Sequence, residues 1–161
     1  MTIAPRATLG LLALLAACST TPASTSSPPP ATTAQVVPGS QEDLVANVGD
    51  RVFFDFDRSA IHGHGSLTQN NAAVLDRQSA WLMKYNQISV QIAGNCDERG
   101  TEEYNLALGQ RRADVVRGYL VAKGTSGGRM STISYGKERP TALESSEDAR
   151  ARNRNAITSV K

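Results

Sequence analysis

Ile88-Ser89-Val90-Gln91-Ile92-Ala93, and after it the run from Thr101 to Gly124, decide how this chain folds. The first stretch alternates apolar and polar residues, so Ile88, Val90 and Ile92 share one face of a strand half-buried against something else. The second reads as a helix: Thr101 can cap it, Glu102 and Glu103 are favourable in its first turn, and Gly124 after Lys123 can end it. Working outward, Val52-Phe53-Phe54-Asp55-Phe56-Asp57 is a β-rich run ending in an acid, and the folded part is expected to begin near Asp50. Between the two strands, at about 100° per residue, Val74, Leu75, Gln78, Trp81, Leu82 and Tyr85 fall on one side of a helix, with Asp76, Arg77 and Lys84 away from it. Strands near 131–135 and 156–160 complete a β-α-β-α-β-β order. That order predicts an α/β domain, an α+β sandwich in which helices pack on a mixed sheet.

The 161 residues allow one such domain with length left over. After Arg6 no Asp, Glu, Lys or Arg occurs until Glu42, and beyond it the signs are interleaved. With a formal net charge of +2, the chain lacks the clustered basic charge from which a nucleic-acid binder draws its affinity.

Residues 1–17 read as an export signal, with a positive start at Arg6, an apolar run over 9–15 and small Ala16 and Ala17. The run is about half the roughly 20 apolar residues that span a bilayer. Leu15-Ala16-Ala17-Cys18 resembles a bacterial lipobox, which implies that Cys18 becomes the first mature residue and carries diacylglycerol and an N-acyl chain. An ordinary signal peptide with an incidental cysteine is the alternative. Two or more acyl chains anchor stably. By lipoprotein sorting rules, a mature chain beginning Cys-Ser goes to the outer membrane. Residues 18–41, rich in Ser, Thr, Ala and Pro, bury too little apolar surface to offset their ordering entropy and are expected to be a linker. Its reach is roughly 70 Å if fully polyproline-like and about 30 Å as a coil. Residues 42–161 are left for the domain. Once Cys18 is acylated, Cys96 is the only remaining thiol, so no internal disulfide can form. With both histidines, His62 and His64, in a glycine-rich loop, Cys96 lacks a base and is expected to be a small, partly buried side chain.

The long helix holds an anomaly. Gln110, Arg111, Asp114 and Arg117 project to one side, while Leu108, Val115, Val116, Tyr119 and Leu120 project to the other with Gly109. Arg112 falls in the middle of the apolar arc, and Asn105 lies on the same stripe two turns earlier. A guanidinium there is expected to meet a carboxylate, supplied by the protein or by a ligand, because an unpaired buried charge costs several kcal/mol. Asp97 and Glu98 are the nearest candidates, and a purely structural ion pair with one of them is the plain alternative.

The run Gly94-Asn95-Cys96-Asp97-Glu98-Arg99-Gly100-Thr101-Glu102-Glu103-Tyr104-Asn105-Leu106-Ala107-Leu108-Gly109-Gln110-Arg111-Arg112-Ala113 resembles the signature of OmpA-like peptidoglycan-binding domains. Within that family the likeness is greatest to its lipoprotein members. They also show the strand ending Phe56-Asp57, the stretch Ser134-Tyr135-Gly136-Lys137-Glu138-Arg139-Pro140 and a late Asn153-Arg154. The resemblance covers roughly Arg51 to the C-terminus. It implies a non-catalytic domain that binds diaminopimelate in the wall's stem peptide, with Asp97 and Arg112 clamping the amine and carboxylate at its free end and Asn105 adding an amide contact. It further implies that Phe56, Asp57 and the loop after them line the pocket with the backbone near Glu98 and Arg99, that Arg154 lies close by, and that a TolB-type periplasmic protein competes for an overlapping surface. No metal and no cofactor beyond the lipid on Cys18 are implied.

Three departures stand out. Asn95 replaces a frequent His, Asn155 replaces a usual Arg and is expected to weaken a secondary contact, and the 61–71 connection is several residues longer than usual. Its extra length is expected to change access to the pocket, whereas His62 and His64 alone are a poor metal site. A wall-active hydrolase is the competing enzyme reading, but neither three metal ligands nor a nucleophile with an oriented base is visible. A lipoprotein acting through protein contacts alone is the third, and it would leave Arg112 in an ion pair with Asp97.

Overall fold

The structure is a computed structural model that describes residues 36–161, so the export signal, Cys18 and most of the expected linker lie outside the described residues. A first helix, α1 (Gln41–Asp43), is capped by Ser40 and runs into a π-helical turn, Leu44–Val48. Then follow β1 (Arg51–Phe53), α2 (Asn71–Lys84), β2 (Val90–Asn95), α3 (Glu102–Ala122), a 3-10 turn at Gly127–Arg129, β3 (Met130–Gly136), α4 (Glu147–Asn153) and β4 (Asn155–Val160).

The four strands form one mixed sheet in the order β1-β4-β2-β3, with β4 antiparallel to both of its neighbours and β2 parallel to β3. The β2-α3-β3 crossover supplies the long connection that a parallel pair requires. Val52, Val90, Ile92 and Ala156 meet Leu75, Leu82, Val116 and Leu120 in a single core, with Val74, Tyr85 and Ile88 half-buried at its edge. This is the helix face expected for α2, and Gln78 belongs there because its amide donates to Gly49 O (2.7 Å) and its oxygen accepts from Thr158 Oγ1 (3.0 Å).

Four details differ from the sequence expectations. The helical segment ahead of Asp50 is part of the fold: Leu44 and Val48 are buried, and the Trp81 indole N–H donates to Asp43 Oδ2 at 2.8 Å. The first strand stops at Phe53 rather than Asp57, because Asn71 brackets Phe53 N and O with its side chain and beyond it Phe54 O accepts from Arg154 and Asp55 O from Arg112. Arg117 leans back to bond Met130 O and Gly127 O, while Val115 is exposed. Helix α4 was not anticipated.

The long helix keeps its expected ends. Thr101 Oγ1 accepts from Tyr104 N, and Gly124 follows the last turn with φ +101°, a conformation that favours glycine.

Candidate functional site

Where β2 ends, Cys96 N bonds Gly136 O on β3 (2.7 Å), and the chain crosses to the Thr101 cap through a short loop. Asn105, in the first turn of α3, clamps that loop by donating to Arg99 O (2.8 Å) and Thr101 O (3.0 Å). Both of its N–H groups are thereby used, leaving its oxygen as the atom available to a ligand. Two turns on, Arg112 enters the same space and is fully buried.

The expected carboxylate partner of Arg112 is not among its contacts. Its Nε donates to Arg58 O (2.9 Å), Nη1 to Asn95 O (2.8 Å) and Cys96 Sγ (3.3 Å), and Nη2 to Asp55 O (3.2 Å), with the Phe54 ring 5.1 Å away. Four of five N–H donors are held by neutral acceptors, so among the described residues the charge has no ion-pair partner. Burial pushes the guanidinium below its ordinary value, and arginine is basic enough to keep its charge in proteins. The purely structural pairing of Arg112 with Asp97 is therefore corrected.

Asp97 is also buried, but its partners are other arginines. It accepts from Arg99 Nη2 (2.6 Å), Nε and N, and from Arg154 Nη1 (3.1 Å). Burial opposes its ionisation most strongly, but the hydrogen bonds from Arg99 and Arg154 more than offset this and hold its carboxyl below the usual value. Arg154 is fixed in turn by Phe54 O (3.1 Å) and Glu147 of α4 (3.0 Å).

These groups surround a cavity of about 170 Å³. Of the residues singled out from the sequence, Asp97, Arg112, Asn105, Asp57, Phe56, Arg99 and Arg154 line it. Phe56 is largely exposed beneath the Arg99 guanidinium, 4.0 Å from the ring centre, and Asp57, at φ +55°, accepts the Tyr104 hydroxyl. Glu98 does not join them: it turns outward to Arg150 Nε at 2.7 Å. Cys96 lines the cavity too, more deeply buried than expected, with its thiol pushed up by burial. Gly100, Tyr104 and Leu108 also line it and were missed, although Tyr104 directly precedes Asn105 and Leu108 lies one turn from both Asn105 and Arg112. Three arginines against two aspartates leave the lining one positive charge in excess, which suits a ligand with a carboxylate.

The long 61–71 connection is not a cover. None of its residues lines the cavity, and His64 N and Gly65 N are pinned instead by the Asp55 carboxylate (2.8 and 3.1 Å). Asp55 O and Arg58 O both anchor Arg112, so this loop bears on the site through that anchor. Asn155 is buried within the sheet and is no part of this cavity.

The OmpA family matches residues 53–154, a span that contains every cavity residue. The chain belongs to the OmpA family. Peptidoglycan-associated lipoproteins are among its relatives: that of Rhizobium meliloti (strain 1021) is 51% identical over 121 residues, which is 75% of this chain and 65% of the relative. That of Mesorhizobium japonicum is 42% identical over 156 residues, 94% of this chain and 89% of the relative. The crystal structure of the peptidoglycan-associated lipoprotein from Burkholderia pseudomallei superposes with a TM-score of 0.62 at 40% identity, covering 70% of this chain and 90% of that one. Family and fold thus agree with the resemblance seen in the sequence.

Proposed function

We propose that this protein is a lipid-anchored tether that holds the outer membrane to peptidoglycan without catalysing a reaction. The observation that carries this reading is the buried Arg112 guanidinium, lining a cavity with Asp97 and lacking a carboxylate partner among the described residues. The one Arg112 N–H left free, on Nη2, can donate a charge-assisted hydrogen bond to a carboxylate, and Asp97 can take an ammonium group in place of one of its arginines. Diaminopimelate of the stem peptide offers both groups at one end.

In this reading Cys18 carries the acyl chains, the segment to residue 41 is the leash, and residues 42–161 hold the wall from the periplasmic side. Many copies acting together convert modest individual affinities into a firm attachment, provided the leash spans the gap. A TolB-type propeller is the protein partner, competing for the same face within the Tol-Pal system of envelope integrity and division.

Titration of the mature chain with two soluble muropeptides, one with diaminopimelate and one with lysine at the third position, tests the ligand. Saturable binding of the first and at least tenfold weaker binding of the second is expected. Equal binding of both would remove diaminopimelate as the recognised group.

A further inference from the structure

The sheet has a second face. Val90 and Ile92 point into the helical core, so Gln91, Ala93 and Asn95 alternate to the other side of β2, where Ile157 and Ser159 of β4 stand opposite them. Here lies a separate cavity of about 200 Å³, which includes Asn95, Tyr135, Arg139 and Ile157 in its lining and shares no residue with the Arg112 site.

Its most informative atom is an acceptor. Asn155 Nδ2 donates to Arg152 O (2.7 Å) and Thr141 Oγ1 (3.2 Å), so Asn155 Oδ1 must face Asn95. Asn95 Nδ2 donates to that oxygen at 2.8 Å and to Ala93 O at 3.3 Å. Turning either amide over would set carbonyl against carbonyl, so both orientations are fixed by their partners. Asn95 Oδ1 is what remains: the residue is 3% exposed, and this oxygen has no donor among the described residues. Buried acceptors are rarely left unmatched, because losing water without gaining a donor is unfavourable.

Arg139 provides the second element. Its guanidinium stacks on the Tyr135 ring at 3.5 Å, and among the described residues it makes neither an ion pair nor a side-chain hydrogen bond. Stacking restrains the plane and leaves its N–H edge for an anion. A fixed buried acceptor and a restrained guanidinium on one small cavity call for a ligand with an N–H donor and a carboxylate close together. The last residue of a peptide carries both, in its amide N–H and its terminal carboxylate.

We propose that this sheet-face cavity binds the free carboxyl end of a peptide, the terminal carboxylate on Arg139, the last amide N–H on Asn95 Oδ1, and a small side chain against Ala93 and Ile157. The site shares no lining residue with the Arg112 cavity, although Asn95 O anchors Arg112 from the strand between them, and it does not rest on the tether reading. It also gives the Asn95 and Asn155 pair a role: Asn155 orients the acceptor.

The test is an NMR titration of the mature chain without its lipidated cysteine, residues 19–161, with N-acetylalanine and, separately, with N-acetylalaninamide, whose carboxylate is masked. N-acetylalanine is expected to shift the Asn95 side-chain amide and backbone signals of β2, β4 and 135–139, leaving Phe56 and Tyr104 unmoved. The amide is expected to bind at least tenfold more weakly, as is N-acetylalanine to Arg139→Ala, a surface change that spares the fold. No shifts at these residues, shifts confined to the Arg112 cavity, or equal binding of acid and amide would each overturn the proposal.

Discussion

Replacing Gly94 with alanine should dislodge the functional site by moving the helix that carries it. A Cβ on Gly94 would stand 1.8 Å from the Gly109 carbonyl oxygen and 2.6 Å from its carbon, both main-chain atoms of α3. To restore even 3.0 Å the helix must retreat by about 1.2 Å, since a backbone atom cannot rotate out of the way as a side chain can. Arg112 follows Gly109 by one turn, so its 2.8 and 2.9 Å bonds to Asn95 O and Arg58 O would stretch beyond hydrogen-bonding range. Overpacking of this kind costs about 1–3 kcal/mol, and loss of buried bonds from a charged group roughly 1.5–3 more. At a urea slope of ~2 kcal/mol/M, a loss of about 2.5–6 kcal/mol lowers the unfolding midpoint by about 1.3–3 M. Gly118 is the control on the same helix: it is exposed, with nothing within 4 Å of an added Cβ, and Gly118→Ala should raise stability by about 1 kcal/mol. Urea unfolding followed by circular dichroism reads both variants. A Gly94→Ala midpoint within about 0.5 M of wild type, with wall binding kept, would refute the view that this close approach positions Arg112.

Two other expectations concern the loop between β2 and α3. Because the folded Asp97 carboxyl is held below its ordinary value, its contribution to stability is fully present above about pH 4, the unfolded value, and is lost as pH falls through the lower folded value. Thermal unfolding across this acid range should therefore show a limb that is shallower in Asp97→Asn, and an unchanged limb would contradict the pairing with Arg99 and Arg154. Glu98→Ala, which removes an outward pair with Arg150, should alter stability by less than about 1 kcal/mol and leave peptidoglycan sedimentation intact. A large loss of sedimentation would restore Glu98 to the site.

Much of this architecture is legible in residue periodicity. Alternation places Val90 and Ile92 inward, the 3.6-residue period places Leu75, Gln78 and Leu82 inward, and Thr101 and Gly124 mark the ends of α3. Arg112 is also visible as a charge on an apolar stripe, but its partners are not. They are main-chain carbonyls of Asp55, Arg58 and Asn95, and no residue type advertises a carbonyl left free by a strand that ends early. The role of Asp97 is hidden for a related reason, since it depends on Arg154, 57 positions away. Helix α4 was missed although Ser146 followed by Glu147 and Asp148 is a recognisable start, and Ser146 Oγ does accept from Ala149 N. At seven residues it is too short to show a periodic apolar face. The helical segment before β1 is equally brief, and the burial of Leu44 and Val48 with the Trp81–Asp43 bond reveals that it is built into the core.

The most direct test of the tether is co-sedimentation of the mature chain with purified diaminopimelate-type peptidoglycan, comparing wild type, Arg111→Ala and Arg112→Lys. Lysine is preferred to alanine at 112 because alanine would orphan three main-chain carbonyls, whereas lysine keeps the charge and a donor but lacks the fork that holds those carbonyls while leaving an N–H for a ligand. With folding verified by circular dichroism, Arg111→Ala should bind like wild type and Arg112→Lys at least tenfold more weakly. Equal binding by all three, or no binding by wild type, would contradict the account.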